Sequence, residues 1–426
     1  MQTKQRRNMA TIIFRFMVSS LAYGKGRRSP VYSPDRSRST AIPCVTLHFM
    51  LIGIDATRAN KPEKTGVEWY AWHLIQEMKK LTVNDGNSWV LYTREPLRGE
   101  LSALPENWYE VRAGWPPRRL WTQVRLSWEM WRRPVDVLFV PAHVLPSIRP
   151  EKSVVTVHDV GFRRHPRLYQ RADIEYHEAS TRHLAKTDAR IITVSEFSGK
   201  ELVELYHVDP KRIAIIPNGI DHERYKPATD RSAIDAVLTR LQIPTPYFLT
   251  VGRLEAKKNI VNIVKAFNAF KVHRGLGDPT RLVFAGKPGY QYSVIKKAIE
   301  ASPYRDQIIE LGYTDENDLP SLFSGAVGLI HLSWYEGFGI PPVQAMACGC
   351  PVIASSVASL PEIIGAENGL FVSPAEPDQA ARAMDRLLNE PALRQSLSSK
   401  GMQRAAIYTW KSAAEKTIPV LTQWVV

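Results

Sequence analysis

The sequence predicts an α/β protein in which two doubly wound parallel-sheet domains face each other across a cleft. From residue 48 onward, short apolar runs alternate with stretches of helical periodicity, and this alternation pauses at the turn-rich segment 217–230 before it restarts. Such alternation is typical of parallel sheets with helices on both faces, and one sheet rarely holds this many strands. The length of 426 residues also corresponds to two or three average domains.

Strands of the first half are predicted from continuous apolar runs, as expected for strands that are buried on both faces of a sheet. The first run, HFMLIGI, covers residues 48–54, and apolar side chains then recur at helical spacing from Gly66. The other strand candidates in this half are SWVLYT (88–93), DVLFVP (136–141), SVVTVH (153–158), RIITVS (190–195) and RIAIIP (212–217).

The second half repeats the pattern. A helix is expected from residue 258, and another, PPVQAMAC, should stop at Gly349, because glycine is a favourable C-terminal cap. The strand candidates are YFLTVG (247–252), RLVFAG (281–286), VGLIHL (327–332) and PVIASS (351–356). We therefore predict Rossmann-like domains at 48–222 and 223–408, followed by a final helical segment, 409–426.

Composition excludes several classes of protein. A chain with 44% hydrophobic and 23% charged residues is too apolar for wholesale disorder. No run reaches the ~18 uncharged apolar residues of a membrane-spanning helix. Three cysteines (Cys44, Cys348 and Cys350) are too few for a disulfide framework, which favours a reducing compartment. We expect Cys348 and Cys350 to be buried structural residues rather than metal ligands.

Most of the excess positive charge lies in the first fifty residues. Of the formal net charge of +14, this stretch carries +8 and the remaining 376 residues carry +6. Since no recognition-helix motif or basic aromatic sheet accompanies the charge, no nucleic-acid partner is expected. Residues 1–47 are predicted to be a disordered basic extension. The alternatives are a membrane-surface arm, a targeting segment, or a translation start that truly lies at Met50.

Candidate chemistry follows the strand ends of the second half, where open α/β sheets bind ligands. In VGRLEAKKN (251–259), Arg253 and Lys258 could neutralise a pair of phosphates. In SWYEGFGIPPVQAMACGCPVIAS (333–355), a glycine-containing loop enters a helix N-terminus, which is a ready anion site. Glu336 precedes that loop and could hold hydroxyl groups. An anion site beside a hydroxyl acceptor suggests a phosphorylated sugar.

The segment YEGFGIPPVQAMACGCPVIAS resembles the Glu-x7-Glu signature of the retaining family-4 glycosyltransferases, which have the GT-B fold. Further segments resemble the family in order along residues 50–426: VTVHDVGF, ARIITVSEFSGKEL, RIAIIPNGIDHERYKP, VGRLEAKKN and LGYTDENDLPSLFSGA. The opening IGIDATRANKPEKTGVEWYAWHLI resembles bacterial mannosyltransferases of surface-polysaccharide assembly. The resemblance also implies that the final helix crosses back to the first domain.

The resemblance assigns catalytic roles to four residues. Arg253 and Lys258 match the pair that binds the donor pyrophosphate and stabilises its charge as the sugar–phosphate bond breaks. Glu336 matches the first glutamate, which holds hydroxyls of the donor sugar. His158 matches a histidine that faces this sugar, and Asp159 lies beside it.

Other donor-binding positions follow from the same resemblance. The backbone N–H groups of Gly337, Phe338, Gly339 and Ile340 would cradle sugar and phosphate, and Tyr313 lies near the base. The second glutamate, which accepts from the ribose hydroxyls, is replaced by Gln344. In the first glycine loop, Thr65 and Gly66 provide a single glycine where a pair is usual. These departures leave, as the alternative function, a catalytically idle relative that acts as a nucleotide-sugar binding or scaffold protein.

The implied reaction is hexosyl transfer with retention, from a nucleotide-sugar on the second domain to a glycan or polyprenyl-linked acceptor on the first. GDP-mannose is the expected donor through the subfamily resemblance, and a UDP-hexose is the alternative. Neither a metal nor another cofactor is expected, since Arg, Lys and the helix N-terminus replace the metal and no D-x-D pair occurs.

A second feature bears on location. Trp121, Val124, Trp128 and Trp131 in segment 115–134 are spaced to share one helix face, and Arg118, Arg125 and Arg132 flank it. Aromatic residues beside arginines suit a helix that lies on anionic lipid, although such a face can equally pack into the domain. A cytoplasmic protein, with or without peripheral contact to the inner face of the membrane, is therefore expected.

Overall fold

A computed structural model describes residues 49–115, 120–275 and 277–424. The predicted extension 1–47 therefore lies outside the described residues. The strands are β1 (Leu51–Asp55), β2 (Ser88–Thr93), β3 (Trp108–Arg112), β4 (Val137–Val140), β5 (Lys152–Val157), β6 (Arg190–Thr193), β7 (Ile213–Ile215), β8 (Tyr247–Val251), β9 (Arg281–Ala285), β10 (Ile308–Gly312), β11 (Gly328–His331), β12 (Val352–Ser355) and β13 (Leu370–Val372).

The α-helices of the described residues alternate with these strands. They are α1 (Gly66–Leu81), α2 (Ser127–Arg132), α3 (Gly161–Arg164), α4 (Arg171–Ala185), α5 (Glu196–Tyr206), α6 (Arg231–Arg240), α7 (Ile260–Arg274), α8 (Tyr292–Glu300), α9 (Leu319–Gly325), α10 (Ile340–Ala347), α11 (Leu360–Ile364), α12 (Pro377–Asn389), α13 (Pro391–Ala405) and α14 (Trp410–Thr422). None of the described helices is long and apolar enough to cross a membrane.

Two separate parallel sheets confirm the predicted pair of doubly wound domains. The first sheet has seven strands in the order β3-β2-β1-β4-β5-β6-β7, and the second has six in the order β10-β9-β8-β11-β12-β13. All of the strand pairs are parallel. Each order reverses direction once, between β1 and β4 and between β8 and β11. Loops that leave such a reversal point open a crevice for ligands.

Every strand that the apolar runs predict is present, but β3, β10 and β13 were missed. All three lie at an edge of a sheet. Their residues are mostly exposed or half-buried, whereas β4, β8 and β11 are buried throughout. The edge strand β7 was nevertheless predicted from its apolar run, so position at an edge is not the whole reason. In β3 and β10 a glutamate, Glu110 or Glu310, interrupts the apolar run, and β13 is only three residues long.

The last helix crosses back to the first domain, as the resemblance implied. Helix α14 packs against α1, and the rings of Trp410 and His73 stack with their centroids 5.1 Å apart. The crossing itself is tight, because a Cβ on Gly219 would lie 2.2 Å from the amide nitrogen of Trp410. Arg190 in β6 donates hydrogen bonds to the carbonyls of Val420 and Gln423, which fixes the end of α14.

The tryptophan-rich segment does not form the single helix face that its spacing suggested. Residues Trp121–Leu126 adopt a π-helix, and α2 follows directly, so the angular spacing changes within the segment. Trp121 is buried and donates its ring N–H to the carbonyl of Ala113, whereas Trp131 is 64% exposed. The face is thus divided between core and surface. Arg118 lies outside the described residues.

Candidate functional site

The candidate site forms where the two central strands of the second sheet end. The loop after β8 contains Arg253 and a 3-10 turn, Ala256–Lys258, and the loop after β11 carries Glu336 toward α10. Because β8 and β11 are neighbours at the reversal point, their loops emerge side by side. Two segments that are some 80 positions apart in the sequence therefore supply one site.

Glu336 is a buried carboxylate that is held ionised by cations. Its Oε1 accepts a hydrogen bond from Nζ of Lys258 over 2.5 Å, and Nε2 of His331 lies 3.1 Å from the same oxygen. Burial opposes ionisation, but Lys258, His331 and Lys257 outweigh it and hold the pKa of Glu336 well below its usual range. A fixed charge with a free Oε2 can accept hydrogen bonds from hydroxyls.

Lys257 extends this network across the cleft to the first domain. Its Nζ lies 3.6 Å from Oδ2 of Asp159 and 5.7 Å from the ring centre of Tyr169. Burial disfavours the charged lysine, yet Asp159, Tyr169 and Glu336 raise the pKa of Lys257 well above its usual value. The pKa of Asp159 is correspondingly lowered, against its burial, by Lys257 and the N–H of Gly161. The two domains thus meet through a charged pair beside Glu336.

His158 follows β5 and faces the same region from the first domain. Its Nε2 lies 3.3 Å from the carbonyl oxygen of Pro141, so this nitrogen donates, and its ring meets Tyr70 edge-on at 4.6 Å. Burial lowers the pKa of His158. At neutral pH the ring is therefore a neutral imidazole whose other nitrogen can accept a hydrogen bond.

Arg253 is exposed and makes no hydrogen bond or ion pair within the described part of the chain. The turn that carries it is closely packed, since a Cβ on Gly286 would lie 1.8 Å from the carbonyl oxygen of Gly252. The backbone is therefore fixed while the guanidinium remains available to an anion. Of the two residues predicted to bind phosphate, Lys258 is hydrogen-bonded to Glu336, whereas Arg253 is exposed and available to a ligand.

The glycine loop fits tightly between the two domains. A Cβ on Gly337 would lie 2.1 Å from the carbonyl oxygen of His158, and Gly339 has a φ of +91°, which favours glycine. Phe338 is buried and its ring packs against Tyr408, so only its backbone is available to a ligand. Ile340 begins α10. Gln344 on that helix is half-buried, and its side chain makes no hydrogen bond to a described residue.

The remaining predicted positions are Thr65, Gly66 and Tyr313. Thr65 caps α1 together with Glu68. A Cβ on Gly66 would have its nearest neighbour, Cδ1 of Ile340, 3.6 Å away, so there is room for a side chain here. Tyr313 is 68% exposed, and Nζ of Lys287 lies 4.5 Å from the centre of its ring. Among the described residues, no hydrogen bond or ion pair joins any of these three residues to Glu336.

Two connected chambers open on the first-domain side of His158. The inner chamber has a volume of about 250 Å³ and the outer one about 750 Å³. Polar residues of the inner chamber include Asp55, Glu68, His143, His158 and His177. Residues that line both chambers are Thr57, Arg58, Thr122 and Tyr176. A cavity with both charge signs and aromatic edges can bind a polar organic ligand.

Sequence reasoning missed two members of the charged network. Lys257 was passed over because Lys258 matches the family position, although both belong to the same basic run. His331 ends β11, and its place on a strand end was the only available signal. Within the described ranges, no group of three or more His, Cys, Asp or Glu side chains is arranged to hold a metal ion.

Comparisons with known proteins agree with this architecture. Residues 64–224 match the family described as Glycosyltransferase Family 4, and residues 239–404 match Glycosyl transferases group 1. The structure of HepE from Anabaena in complex with UDP-glucose superposes with a TM-score of 0.67 at 16% identity, over 88% of this chain and 100% of that one. That similarity concerns the fold.

Two sequence relatives from Escherichia coli are similar over about two thirds of this chain. The O-antigen chain mannosyltransferase B is 29% identical over 279 residues, which cover 65% of this chain and 72% of that protein. The serotype-specific mannosyltransferase WbdA is 25% identical over 277 residues, 64% of this chain, but the match spans only 34% of WbdA. Taken with the two family matches and the paired sheets, these similarities show that the chain belongs to the family-4 glycosyltransferases of GT-B fold.

Proposed function

We propose that this glycosyltransferase moves a mannosyl group, with retention at the anomeric carbon, from GDP-mannose to a growing surface polysaccharide. A UDP-hexose is the alternative donor. The observation that carries the proposal is the buried, ionised Glu336, which is paired with Lys258 and lies opposite His158. The names of the two Escherichia coli relatives support mannose as the sugar.

The donor would lie mainly on the second domain. Arg253 is free to bind the diphosphate, and Lys258 would share its charge between Glu336 and the leaving phosphate. Their positive charge stabilises the phosphate as the bond to the sugar breaks, which lowers the barrier electrostatically. Oε2 of Glu336 would hold sugar hydroxyls, and the neutral ring of His158 would contact the sugar from the other side. We propose that these side chains act without a metal ion.

The acceptor would enter through the two chambers of the first domain. Its reacting hydroxyl would lie in the inner chamber beside His158, and the preceding sugars would occupy the larger outer chamber, against Tyr176 and Arg58. We further propose that the acceptor is attached to a polyprenyl lipid and that the protein works on the cytoplasmic face of the membrane, with Trp131 and Arg132 exposed for peripheral contact.

Titration of the full-length protein with GDP-mannose, UDP-glucose and UDP-GlcNAc tests the donor assignment. One donor should saturate the protein, Arg253→Ala should abolish that binding, and Arg382→Ala, which changes an exposed arginine on α12, should not. Anomeric analysis of the product by NMR tests retention, and activity in EDTA tests metal independence. If no donor binds at millimolar concentration, the idle-scaffold alternative replaces this proposal.

The acceptor assignment has its own test. Tyr176→Ala should raise the KM for a mannose oligosaccharide while the affinity for the donor stays that of the wild type, because Tyr176 lies only in the first-domain chambers. An unchanged acceptor KM would exclude these chambers as the acceptor site.

A further inference from the structure

The two residues that flank Glu336 are both held by a single helix of the opposite domain. Tyr335 is 2% exposed, and its hydroxyl donates to Oε2 of Glu201 over 3.3 Å. The carbonyl oxygen of Gly337 accepts a hydrogen bond of 2.7 Å from Oγ of Ser195. Ser195 is the N-cap of α5 and Glu201 lies within it. The loop that carries Glu336 is therefore held by hydrogen bonds to α5 of the first domain.

A third contact joins the same helix to the second domain. The carboxylate of Glu362 in α11 accepts from the backbone N–H groups of Glu196 and Phe197, at 2.8 and 3.0 Å. The first N–H groups of a helix have no partner inside it, and a carboxylate there is favoured by both hydrogen bonding and the helix dipole. Just before α11, Ser359 donates through Oγ to the carbonyl oxygen of Glu336 over 2.9 Å.

The fit leaves the loop little freedom to move toward the first domain. A Cβ on Gly337 would meet the carbonyl oxygen of His158, as described above, and a Cβ on Gly161 would lie 2.6 Å from Cδ1 of Tyr335. The hydrogen bonds oppose movement of the loop away from the first domain, and the close packing opposes movement toward it. The position of the Glu336 carboxylate thus depends on residues of the domain that does not carry it.

We propose that α5 positions Glu336 for the donor sugar, with Ser195, Glu201 and Glu362 as positioning residues. This inference rests on the proposed function, in which Glu336 holds hydroxyls of that sugar. Arg253 and Lys258 lie on the second domain and make no hydrogen bond to α5 among the described residues. Loss of the hydrogen bonds between α5 and this loop should therefore weaken binding of the sugar, while binding of the diphosphate should not change.

The experiment compares binding of GDP-mannose with binding of GDP, or UDP-glucose with UDP if the wild type prefers that donor. Ser195→Ala and Tyr335→Phe should each weaken nucleotide-sugar binding by about three- to tenfold, the loss expected for one hydrogen bond, and should lower kcat. Binding of the free diphosphate should not change. Ser195→Thr, which keeps the hydroxyl, should restore both quantities.

The matched control is Tyr206→Phe. Tyr206 lies on the same helix, but its hydroxyl donates to Glu178 within the first domain, so its loss should leave the ratio of the two affinities unchanged. If the wild type binds no nucleotide-sugar, the proposed function itself fails. If the wild type binds but Ser195→Ala and Tyr335→Phe match it in both affinities and in kcat, the positioning role of α5 is refuted. Equal losses of both ligands with a lowered Tm would also refute it, in favour of a purely structural role.

Discussion

The positive charge of Lys258 stabilises the buried carboxylate of Glu336. The side chain of Glu336 is only 9% exposed, and removal of one partner of a buried ion pair leaves an uncompensated charge. We expect Lys258→Met to lower the free energy of unfolding at pH 7 by about 3 kcal/mol. Urea unfolding measures this loss, and Lys265→Met, which removes an exposed lysine on α7, is the matched control.

The pH dependence of this loss distinguishes charge from packing. The folded-state pKa of Glu336 lies below its usual value. The stability that the ionised carboxylate contributes is therefore fully present at pH values above the usual pKa, and it disappears as the pH falls through the folded-state pKa. In Lys258→Met, burial still raises the pKa of Glu336, but the largest charge that lowers it has been removed. The pKa of Glu336 is therefore higher in the variant than in the wild type. The difference between wild type and variant should therefore shrink as the pH falls from 7 toward 4. A difference that is independent of pH would indicate lost packing instead.

Gln344 is one of the two positions at which the resemblance implies a departure from the family pattern, the other being Gly66. Its side chain makes no hydrogen bond to a described residue, so it is available to the nucleotide ribose. A carboxylate accepts about twice as strongly as a neutral amide. Gln344→Glu should therefore tighten binding of the nucleoside diphosphate about tenfold, as measured by titration calorimetry. Gln344→Ala should weaken it slightly, and identical affinities in all three proteins would show that this position does not contact the nucleotide.

At the level of elements, the interface between α1 and α14 contains a half-buried histidine. His73 stacks on Trp410, and burial lowers the pKa of His73 to about 4, an effect that Asp221 opposes and that Arg224, Lys64 and Lys80 increase. The unfolded chain takes up a proton near pH 6.5 that the folded chain resists, so stability falls as the pH drops from 6.5 toward 4. The crossing helix should therefore be less firmly packed in acid.

His73→Phe keeps an aromatic ring against Trp410 and removes the titration. Between pH 7 and pH 5, the wild type should lose about 2 kcal/mol more stability than this variant does. Urea unfolding at the two pH values, followed by tryptophan fluorescence, provides the measurement, with His273→Phe on the exposed side of α7 as the control. Equal losses in His73→Phe and wild type would mean that His73 is protonated without cost in the folded state.

The strands also show where an apolar sequence pattern is enough to predict an element. Central strands such as β4 and β8 bury every residue, so their sequences are continuous apolar runs that identify them directly. The edge strands β3, β10 and β13 give a weaker signal, because a glutamate interrupts the apolar run in β3 and in β10, and β13 has only three residues. The π-helix at Trp121–Leu126 was likewise not predicted, because the spacing of the tryptophans was interpreted as that of a regular α-helix.

For the whole molecule, the approach of the two domains depends on the absence of a side chain at Gly337. An alanine there would place its Cβ 2.1 Å from the carbonyl oxygen of His158, so the domains would have to separate. Gly337→Ala should fold and retain nucleoside diphosphate binding, but its kcat should fall at least tenfold, because Glu336 and His158 could no longer act together.

Steady-state kinetics and small-angle scattering together test this expectation. The variant should show a larger radius of gyration as well as the lower kcat. Gly277→Ala is the matched control, since a Cβ at Gly277 would meet no atom within 4 Å. Unchanged kcat and radius for Gly337→Ala would show that the contact between Gly337 and His158 is not required.

The sequence by itself determined the fold class, the central strands, the returning helix and the Arg253–Lys258 and Glu336 motifs. The fold class and the strands follow from apolar periodicity and the motifs from residue types at strand ends, whereas the return of the last helix was implied by the family resemblance. Only the tertiary structure showed which charged and polar side chains interact across the cleft. The pair Lys257–Asp159 and the hydrogen bonds from Ser195 and Tyr335 join residues from different domains. No spacing along the chain encodes such contacts, because they arise only when two sheets that are distant in the sequence come together across the cleft.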